Sequence, residues 1–424
     1  MLGTRPRPPN APVSARPLPR ETAPDSTLAL LRDPYRFVSE RCRRHGGPAF
    51  ACRLMLAPAV CMSGRAASAF FYTSPGLVRR GAMPEPILAT LLGRGGVQGL
   101  DGEAHAHRKR LFMSIVDEGA LDALEARVRE GWTRRIGRWP VGETRALYGE
   151  AQAVLAEAAC AWAGTPVAPG KLADTTRDLA LMFDAAAALG PRHLKSRLAR
   201  RRAERWARER IDALREGGAD DSPAGAVARH LDLDGRPLSR EVAAVELLNL
   251  LRPTVAVAVY VVDAVHALAL HPEHLGPIRA GDAGHLHRFV QEVRRFYPFF
   301  PAVAARAERA LEFDGMAIPA GARVLLDLHG TCREPGRWER PDAFDPTRFE
   351  TRGDDPYGFI PQGGGEFVAN HRCAGEWIAI RLAATSLATL AGEMTWELPP
   401  QDLAMDMRRL PALPKGGPSV RRIA

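Results

Sequence analysis

The 424-residue chain lacks the cysteine patterns of disulfide-bonded or zinc-binding proteins. None of its six cysteines belongs to a Cys-x-x-Cys pair or has a metal-finger spacing. Free thiols in a reducing cytosol are the natural inference, so we expect a cytoplasmic protein. The N-terminal region also lacks the continuous apolar stretch of a signal peptide or membrane anchor. Residues 1–24, which are rich in proline and arginine, are predicted to form a flexible tail.

The sequence contains no basic motif with interleaved aromatic residues, although its formal net charge is +9. The arginines are dispersed along the chain, so we do not expect nucleic acid as a partner. Residues 181–216 are predicted to form one helix, a break at Gly190-Pro191 and a very basic second helix. Charges of both signs occur in the second helix, which is typical of a solvated surface face.

One cysteine, Cys373, follows a glycine-rich loop and precedes an apolar segment with helical spacing. We predict that this helix begins at Ala374. The thiol would then lie at the positive end of a helix dipole, which lowers a thiol pKa and favours thiolate. A thiolate held by a tight loop is how a protein presents sulfur to haem iron. A buried structural cysteine is the alternative interpretation.

Residues 359–380 resemble the haem-binding loop of the cytochromes P450. The match consists of Phe359, the following glycines and His371-Arg372-Cys373, although the loop is longer than in the commonest form. The longer form is similar to that of one subgroup, the bacterial fatty-acid peroxygenases and decarboxylases. The resemblance implies a mainly α-helical fold with a small β region, as one domain over residues 25–424. It also implies haem b bound through Cys373, with His371 beside it.

Residues 241–271 are apolar nearly all round, which predicts one long helix through the core. Its charged residues leave no uncharged run long enough to span a membrane. In most P450s this helix carries an acid beside a threonine or serine, but here the dipeptide is Arg252-Pro253. A buried guanidinium needs a partner, and the nearest acid, Glu246, is six residues away. A fatty-acid carboxylate fits this role, while a distant acid in a core network is the alternative.

Other parts of the resemblance assign supporting roles. Glu292 and Arg295 form a Glu-x-x-Arg pair that Arg348 would complete as a structural cluster behind the haem. Haem propionates would be bound by Arg79, His105 and Lys109, although a solvated basic face is the alternative for each.

The resemblance also predicts the residues of the substrate channel, which are Leu92, Gln98, Phe299 and Phe300. Gln98 aligns with a position where some decarboxylating members have histidine and hydroxylating members have glutamine. This residue favours hydroxylation. Leu92 stands where phenylalanine is common, which leaves the regioselectivity open, and the two phenylalanines fit a plain core equally well.

The predicted function is therefore hydroxylation of long-chain fatty acids at the α or β carbon. Hydrogen peroxide would supply oxygen and electrons without a redox partner, and Arg252 and Pro253 would form the catalytic pair with the substrate carboxylate as acid and base. Three alternatives remain: decarboxylation to terminal alkenes, monooxygenation that depends on a redox partner, and non-catalytic binding of haem and fatty acid. Chain length, stereochemistry and oligomeric state do not follow from the sequence.

Overall fold

Helices dominate the computed structural model, which describes residues 15–218 and 220–424. This confirms the predicted mainly α-helical fold with a small β region. The helices, in chain order, are α1 Thr27–Arg32, α2 Phe37–Arg44, α3 Arg65–Thr73, α4 Glu85–Ile87, α5 Gly102–Ile115, α6 Glu118–Ile136, α7 Leu147–Trp162, α8 Pro169–Asp184, α9 Pro191–Gly217, α10 Pro223–Arg229, α11 Arg240–Ala256, α12 Ala258–Leu270, α13 Leu275–Arg279, α14 Ala283–Phe296, α15 Leu328–Thr331 and α16 Glu376–Glu393.

Shorter helical turns connect several of these elements. One π-helical turn spans Leu88–Leu92, and 3₁₀ turns span Val97–Gly99, Pro272–His274 and Pro346–Phe349. The strands are β1 Arg16–Pro17, β2 Ala49–Leu54, β3 Ala57–Met62, β4 Leu77–Val78, β5 Thr144–Ala146, β6 Ala302–Ala307, β7 Leu311–Phe313, β8 Met316–Ile318, β9 Arg323–Asp327, β10 Trp396–Glu397 and β11 Ser419–Arg422.

The largest sheet has the strand order β2-β3-β9-β6-β4. The β2–β3 hairpin turns at Met55 and Leu56, both with positive φ. Strand β3 pairs parallel to β9, and β9 pairs antiparallel to β6. Two three-stranded sheets, β1-β8-β7 and β10-β11-β5, complete the β structure.

The predicted N-terminal tail falls partly outside the described residues, because residues 1–14 are not among them. Residues 15–24 contact the domain. Strand β1 pairs with β8, and Arg20 forms a bridge to Ala51. Glu21 accepts hydrogen bonds from Arg41 and pairs with His45. The described part of the tail is therefore ordered against the sheets.

The predicted single central helix is divided into α11 and α12 at Val257. Pro253 lies inside α11, where it has no N–H to donate to the carbonyl of Asn249. The division follows one turn later, where the Val257 N–H bonds to Thr254 rather than to the carbonyl four residues back. By length and composition the span Arg240–Leu270 could cross a membrane, but 83% of its most apolar window is buried inside the protein.

The main hydrophobic core surrounds this central pair of helices. Leu247, Leu251 and Val255 of α11 are fully buried. They belong to one cluster with apolar residues of α6, α7, α8, α9 and α16. Helices that are apolar on every face occur where other elements cover them all round, which explains the sequence pattern of α11 and α12.

The predicted structural cluster is present. Arg295 donates from Nε and Nη2 to the two oxygens of Glu292 at 2.7 Å, and both side chains are inaccessible to solvent. Arg348 lies 3.3 Å from the same carboxylate. The remaining donors of Arg295 bond to the carbonyls of Cys332, Pro341 and Ala343. The cluster thus joins α14 to the chain that leads into the Cys373 loop.

The substitution Glu292→Ala is expected to lower the free energy of unfolding by about 3–5 kcal/mol, because it leaves two buried guanidinium groups without their acid. Urea unfolding followed by circular dichroism measures this loss. The matched control is Asp174→Ala, which removes the exposed partner of Arg177 and should change stability very little. Equal unfolding midpoints for the two variants would contradict a structural role for the cluster.

Candidate functional site

A cavity of about 280 Å³ lies between the Cys373 loop and helix α11. Its walls come from the turns at residues 88–99, from α5, α8, α11 and α12, and from the segments that precede β6 and α16. The predicted residues that line it are Leu92, Gln98, His105, Arg252, Pro253, Phe299, Phe300, His371 and Cys373. The structure therefore brings nine of the residues predicted from the sequence together around one cavity. Arg79 and Lys109 are adjacent to it but do not line it.

Glycines shape the loop that carries Cys373. Gly363 and Gly365 have φ of +93° and +84°, a conformation that favours glycine. At Gly364, a β-carbon would lie 2.5 Å from the carbonyl oxygen of Pro356, so a side chain would not fit. The Cys373 N–H donates to the carbonyl of Gln362 at 3.2 Å. The chain thereby folds back on itself and fixes Cys373 at the cavity wall.

Two predictions about Cys373 were wrong. Helix α16 begins at Glu376 with Gly375 as its cap, so Cys373 lies farther from the helix than expected. Burial raises the pKa of the Cys373 thiol above its ordinary value, although the Gly375 N–H and the cation of Lys109 act against this shift. Desolvation therefore outweighs the groups that favour the thiolate. The buried thiol ionises when a metal cation coordinates it.

A second cationic cluster lies behind the loop, and the sequence analysis missed it. Arg294 donates to Glu376 at 2.6 Å and to Gln362 at 3.0 and 3.1 Å. Arg372 donates to the other oxygen of Glu376 at 2.7 Å. These bonds tie α14, the loop and the start of α16 together. The available signal was Arg294 itself, which is adjacent to the Glu-x-x-Arg pair.

Four basic side chains lie close together at one edge of the cavity: Arg79, His105, Lys109 and His371. The rings of His105 and His371 stack with their centroids 3.7 Å apart. Arg79 donates to the carbonyl of Ala304 at 2.7 Å and lies over the Phe71 ring. Among the described residues, no carboxylate is paired with any of the four, so the edge is suited to an anionic group.

Lys109, the fourth member of this edge, already has partners in the loop. Its ammonium donates to the carbonyl of Asn370 at 2.8 Å and also to that of Arg372. Burial lowers the pKa of Lys109 to about 8. The side chain therefore supports the loop in this structure, whereas the sequence predicted only a contact to a propionate.

Arg252 lies in the opposite wall with an unsatisfied guanidinium. The residue is 5% exposed, and its Nη1 is buried without a hydrogen-bond partner. None of the described carboxylates forms an ion pair with it. Burial lowers the pKa of Arg252 to about 9, and the nearby cation of Arg200 adds to this shift. The group still carries its charge at pH 7.

The nearest acid on the helix, Glu246, is engaged elsewhere. It accepts from Arg108 Nη1 at 2.7 Å and from Asn249 Nδ2 at 2.8 Å. The same Asn249 nitrogen donates to Gln98 Oε1 at 3.1 Å, which leaves the Gln98 amide nitrogen available as a donor. This polar chain was not predicted, because the residues are far apart in sequence. It removes Glu246 as a partner for Arg252.

Apolar side chains complete the cavity. Phe299 stacks on Tyr260 with centroids 4.5 Å apart and meets Phe300 edge to face at 4.6 Å. Leu92 contributes from the π-helical turn. Two residues with hydroxyl groups also line the cavity, Thr254 and Tyr260. The Thr254 hydroxyl donates to the carbonyl of Leu250 at 2.8 Å, whereas the buried Tyr260 hydroxyl has no hydrogen-bond partner. Apart from Arg252 and the chain to Gln98, the space is suited to a hydrocarbon.

Solved structures resemble this chain over almost its whole length. The structure of cytochrome P450SP alpha (CYP152B1) with (R)-ibuprofen is 44% identical, with a TM-score of 0.91, and the match covers 94% of this chain and 98% of that one. A family model, cytochrome P450, matches residues 285–417.

The chain belongs to the cytochrome P450 family.

Within the family it belongs to the bacterial fatty-acid peroxygenase and decarboxylase subgroup. Cytochrome P450EX alpha (CYP152N1) with myristic acid is 38% identical, with a TM-score of 0.92 and coverage of 96% of this chain and 100% of that one. A cytochrome P450 OleT variant with arachidonic acid is 31% identical, with a TM-score of 0.90 and coverage of 96% and 99%. These matches confirm both the predicted family and the predicted subgroup.

Curated plant relatives match about a third of this chain. Cytochrome P450 71D181 of Origanum vulgare is 33% identical over 137 residues, or 30% of this chain. The match spans about a quarter (26%) of that relative's length.

Haem b is the cofactor of this family, and the residues of the site fit it. Among the described residues, no group of three His, Cys, Asp or Glu side chains could hold a metal ion. A single thiolate suffices when a porphyrin supplies the other ligands. Cys373 would provide that thiolate at one wall. At the edge of the cavity, Arg79 and Lys109 offer cations that no described carboxylate pairs with, and His105 and His371, whose pKa values are lowered by burial, offer neutral ring N–H donors.

The variant Cys373→Ala is expected to lose the thiolate-type carbon monoxide spectrum of the reduced protein, because no other cysteine lines the cavity. Visible difference spectroscopy measures this. The control is Cys160→Ala, which removes a fully buried thiol in the helical core and should keep the spectrum. An unchanged thiolate-type spectrum in Cys373→Ala would contradict the assignment of the ligand.

Proposed function

We propose that the chain is a haem-thiolate peroxygenase that uses hydrogen peroxide to hydroxylate long-chain fatty acids at the α or β carbon. The observation that carries the proposal is the buried, unpaired guanidinium of Arg252 in the wall of the cavity. Cys373, which also lines the cavity, would hold the haem through its thiolate. A ligand between these two walls can bring a reactive carbon close to the haem.

A carboxylate is the partner that Arg252 lacks. Guanidinium binds carboxylate through two parallel hydrogen bonds, which fixes orientation as well as position. The internal acid that could have served, Glu246, is held by Arg108 and Asn249. Arg200 is a second buried cation near Arg252, but it already has an ion-pair partner in Glu204. Arg252 is thus the cation that remains for an external anion.

The rest of the ligand is a hydrocarbon chain. Apolar side chains line most of the cavity, with Phe299 and Phe300 on one side and Leu92 on the other. Myristic acid and arachidonic acid occupy the structures of P450EX alpha and the OleT variant, respectively. An anionic head beside an apolar cavity supports the same substrate class here.

The chain lacks the acid–alcohol pair that most P450s use to deliver protons. Arg252 and Pro253 occupy that position, and the hydroxyl of Thr254 is engaged by the carbonyl of Leu250. Among the described residues, no Asp or Glu side chain lines the cavity beside Arg252. The carboxylate that Arg252 holds can supply this function, because it is fixed next to the bound oxidant.

Bound haem supplies the centre at which the O–O bond breaks and oxygen is transferred. Arg252 orients the substrate carboxylate, which takes a proton from one oxygen of the peroxide and delivers it to the other. The second oxygen leaves as water, and the substrate gains one oxygen atom at a C–H bond. Because the head group is anchored, the carbons nearest to it are presented for attack.

Hydroxylation is favoured over decarboxylation by Gln98. Its amide oxygen accepts from Asn249 Nδ2. The remaining amide N–H is a neutral donor, which does not exchange protons as a histidine does. Mass spectrometry of the products from one saturated long-chain acid with peroxide tests this choice. A terminal alkene as the main product would show that the protein decarboxylates the fatty acid and does not mainly hydroxylate it.

The substitution Arg252→Ala is expected to lower kcat/KM for myristic acid with peroxide by at least about thirtyfold, since loss of a buried charged hydrogen-bond partner costs about 2–5 kcal/mol. Haem content and the carbon monoxide spectrum should stay unchanged. The matched variant Arg252→Lys keeps the positive charge but cannot form two parallel hydrogen bonds to the carboxylate, so it should retain part of the activity. Wild-type activity in Arg252→Ala would contradict the salt bridge to the substrate.

Peroxide alone is expected to support turnover, and NADPH with a ferredoxin and its reductase should add little. Product formation under the two conditions distinguishes a peroxygenase from a conventional monooxygenase. Turnover only with the electron-transfer partners would refute peroxide dependence. Absence of product under both conditions would identify a protein that binds haem and fatty acid without catalysis.

A further inference from the structure

The outer face of helix α9 exposes large apolar side chains. Leu194 and Leu198, which are one turn apart, are 58% and 42% exposed, and Leu189 just before the helix is 74% exposed. The inner face of the first half of α9 carries Ser196, Ala199 and Ala203 beside the buried Arg200, and the large apolar Ile211 is buried only in the second half. In the first half of α9 the large apolar side chains therefore face outward, and core packing does not account for these leucines.

Cations surround the exposed leucines. Residues 191–203 contain no acid, and their basic residues are Arg192, Lys195, Arg197, Arg200, Arg201 and Arg202. In the described structure, no ion pair or side-chain hydrogen bond engages Lys195, Arg197, Arg201 or Arg205. The sequence had predicted a solvated face with charges of both signs, but the acids occur only from Glu204 onward.

The charges at the N-terminal end of α9 are unfavourable without an external partner. The N-terminal end of a helix carries a partial positive charge, and its first turn favours acids. The first turn of α9 contains no acid and includes Arg192. An external anion at this end would compensate both the dipole and the unpaired side chains. The arrangement is typical of basic amphipathic helices that lie on membrane surfaces.

Helix α9 also packs over the wall of the cavity. Arg200 on its inner face donates to the carbonyl of Leu91 at 3.3 Å and reaches the sulfur of Met182. Leu91 lines the cavity, as does Phe183 next to Met182. The exposed leucines and the cavity wall are therefore opposite faces of the same helical layer.

We propose that the outer face of α9, formed by Leu189, Leu194, Leu198 and the cations around them, docks the protein on an anionic lipid surface. The leucines enter the boundary between head groups and acyl chains, and the cations bind lipid phosphates. The further role, transfer of fatty acids from the bilayer to the cavity, rests on the proposed function. Vesicle binding itself does not.

Two other occupants fit the face less well. A nucleic acid would use the cations but leave three exposed leucines without an apolar partner. A second copy of the chain in a two-fold arrangement would bring the same unpaired cations against one another. A lipid surface satisfies both the apolar and the charged side chains.

The test is co-sedimentation of the haem-loaded protein with vesicles of phosphatidylcholine alone or with one third phosphatidylglycerol, without fatty acid or peroxide. We expect binding to the anionic vesicles, at least tenfold weaker binding to the neutral ones, and release at high salt. Both Leu194→Asn/Leu198→Asn and Arg201→Glu/Arg205→Glu should lower the partition coefficient by at least tenfold, with unchanged circular dichroism.

The control Arg43→Glu/Arg44→Glu makes the same change of net charge on exposed α2 and should bind vesicles like the wild type. The proposal is overturned if the wild type does not bind anionic vesicles, or if the control loses binding as strongly as the α9 variants. It is also overturned if a DNA duplex displaces the vesicles while the leucine variants bind like the wild type. Vesicle binding without any turnover would refute the proposed function and leave this proposal intact.

Discussion

A guanidinium that is buried without an acid is the constraint on which the site depends. Removing a charge from water costs several kcal/mol unless a partner compensates it, and arginine does not lose its proton to escape that cost. Arg252 keeps this charge in the cavity wall, while Glu246 is bound to Arg108 and Asn249. The cavity therefore favours an anion, and among the described residues no carboxyl side chain lines it.

The loop that carries Cys373 must compensate for the burial of a thiolate. Burial disfavours the thiolate of Cys373, and the loop opposes this with the Gly375 N–H and the cation of Lys109. Behind the loop, Arg294, Arg372 and Glu376 form a network that holds its backbone. The Glu292 cluster lies on the same helix, α14. These contacts would hold the loop that carries Cys373 in place when haem is bound.

Sequence patterns predicted those features of the site that depend on residues close together in the chain. The glycines before Cys373, the Arg252-Pro253 pair and the Glu292–Arg295 spacing each carry their physical reason within a few residues. The features that the sequence did not predict depend on the packing of the folded chain. The thiol pKa depends on total burial, and the break at Val257 lies one turn beyond the proline that precedes it. The bond between Asn249 and Gln98 joins residues 151 positions apart, which no local pattern reveals.

The most direct test of the central claim compares myristic acid with its methyl ester, which has the same chain but no carboxylate. Initial rates of peroxide-dependent oxidation of the two compounds are measured with the wild-type protein. If the substrate's carboxylate is the missing acid and base, the acid is turned over and the ester is not, even when the ester saturates the cavity. Equal turnover of the two would contradict the account.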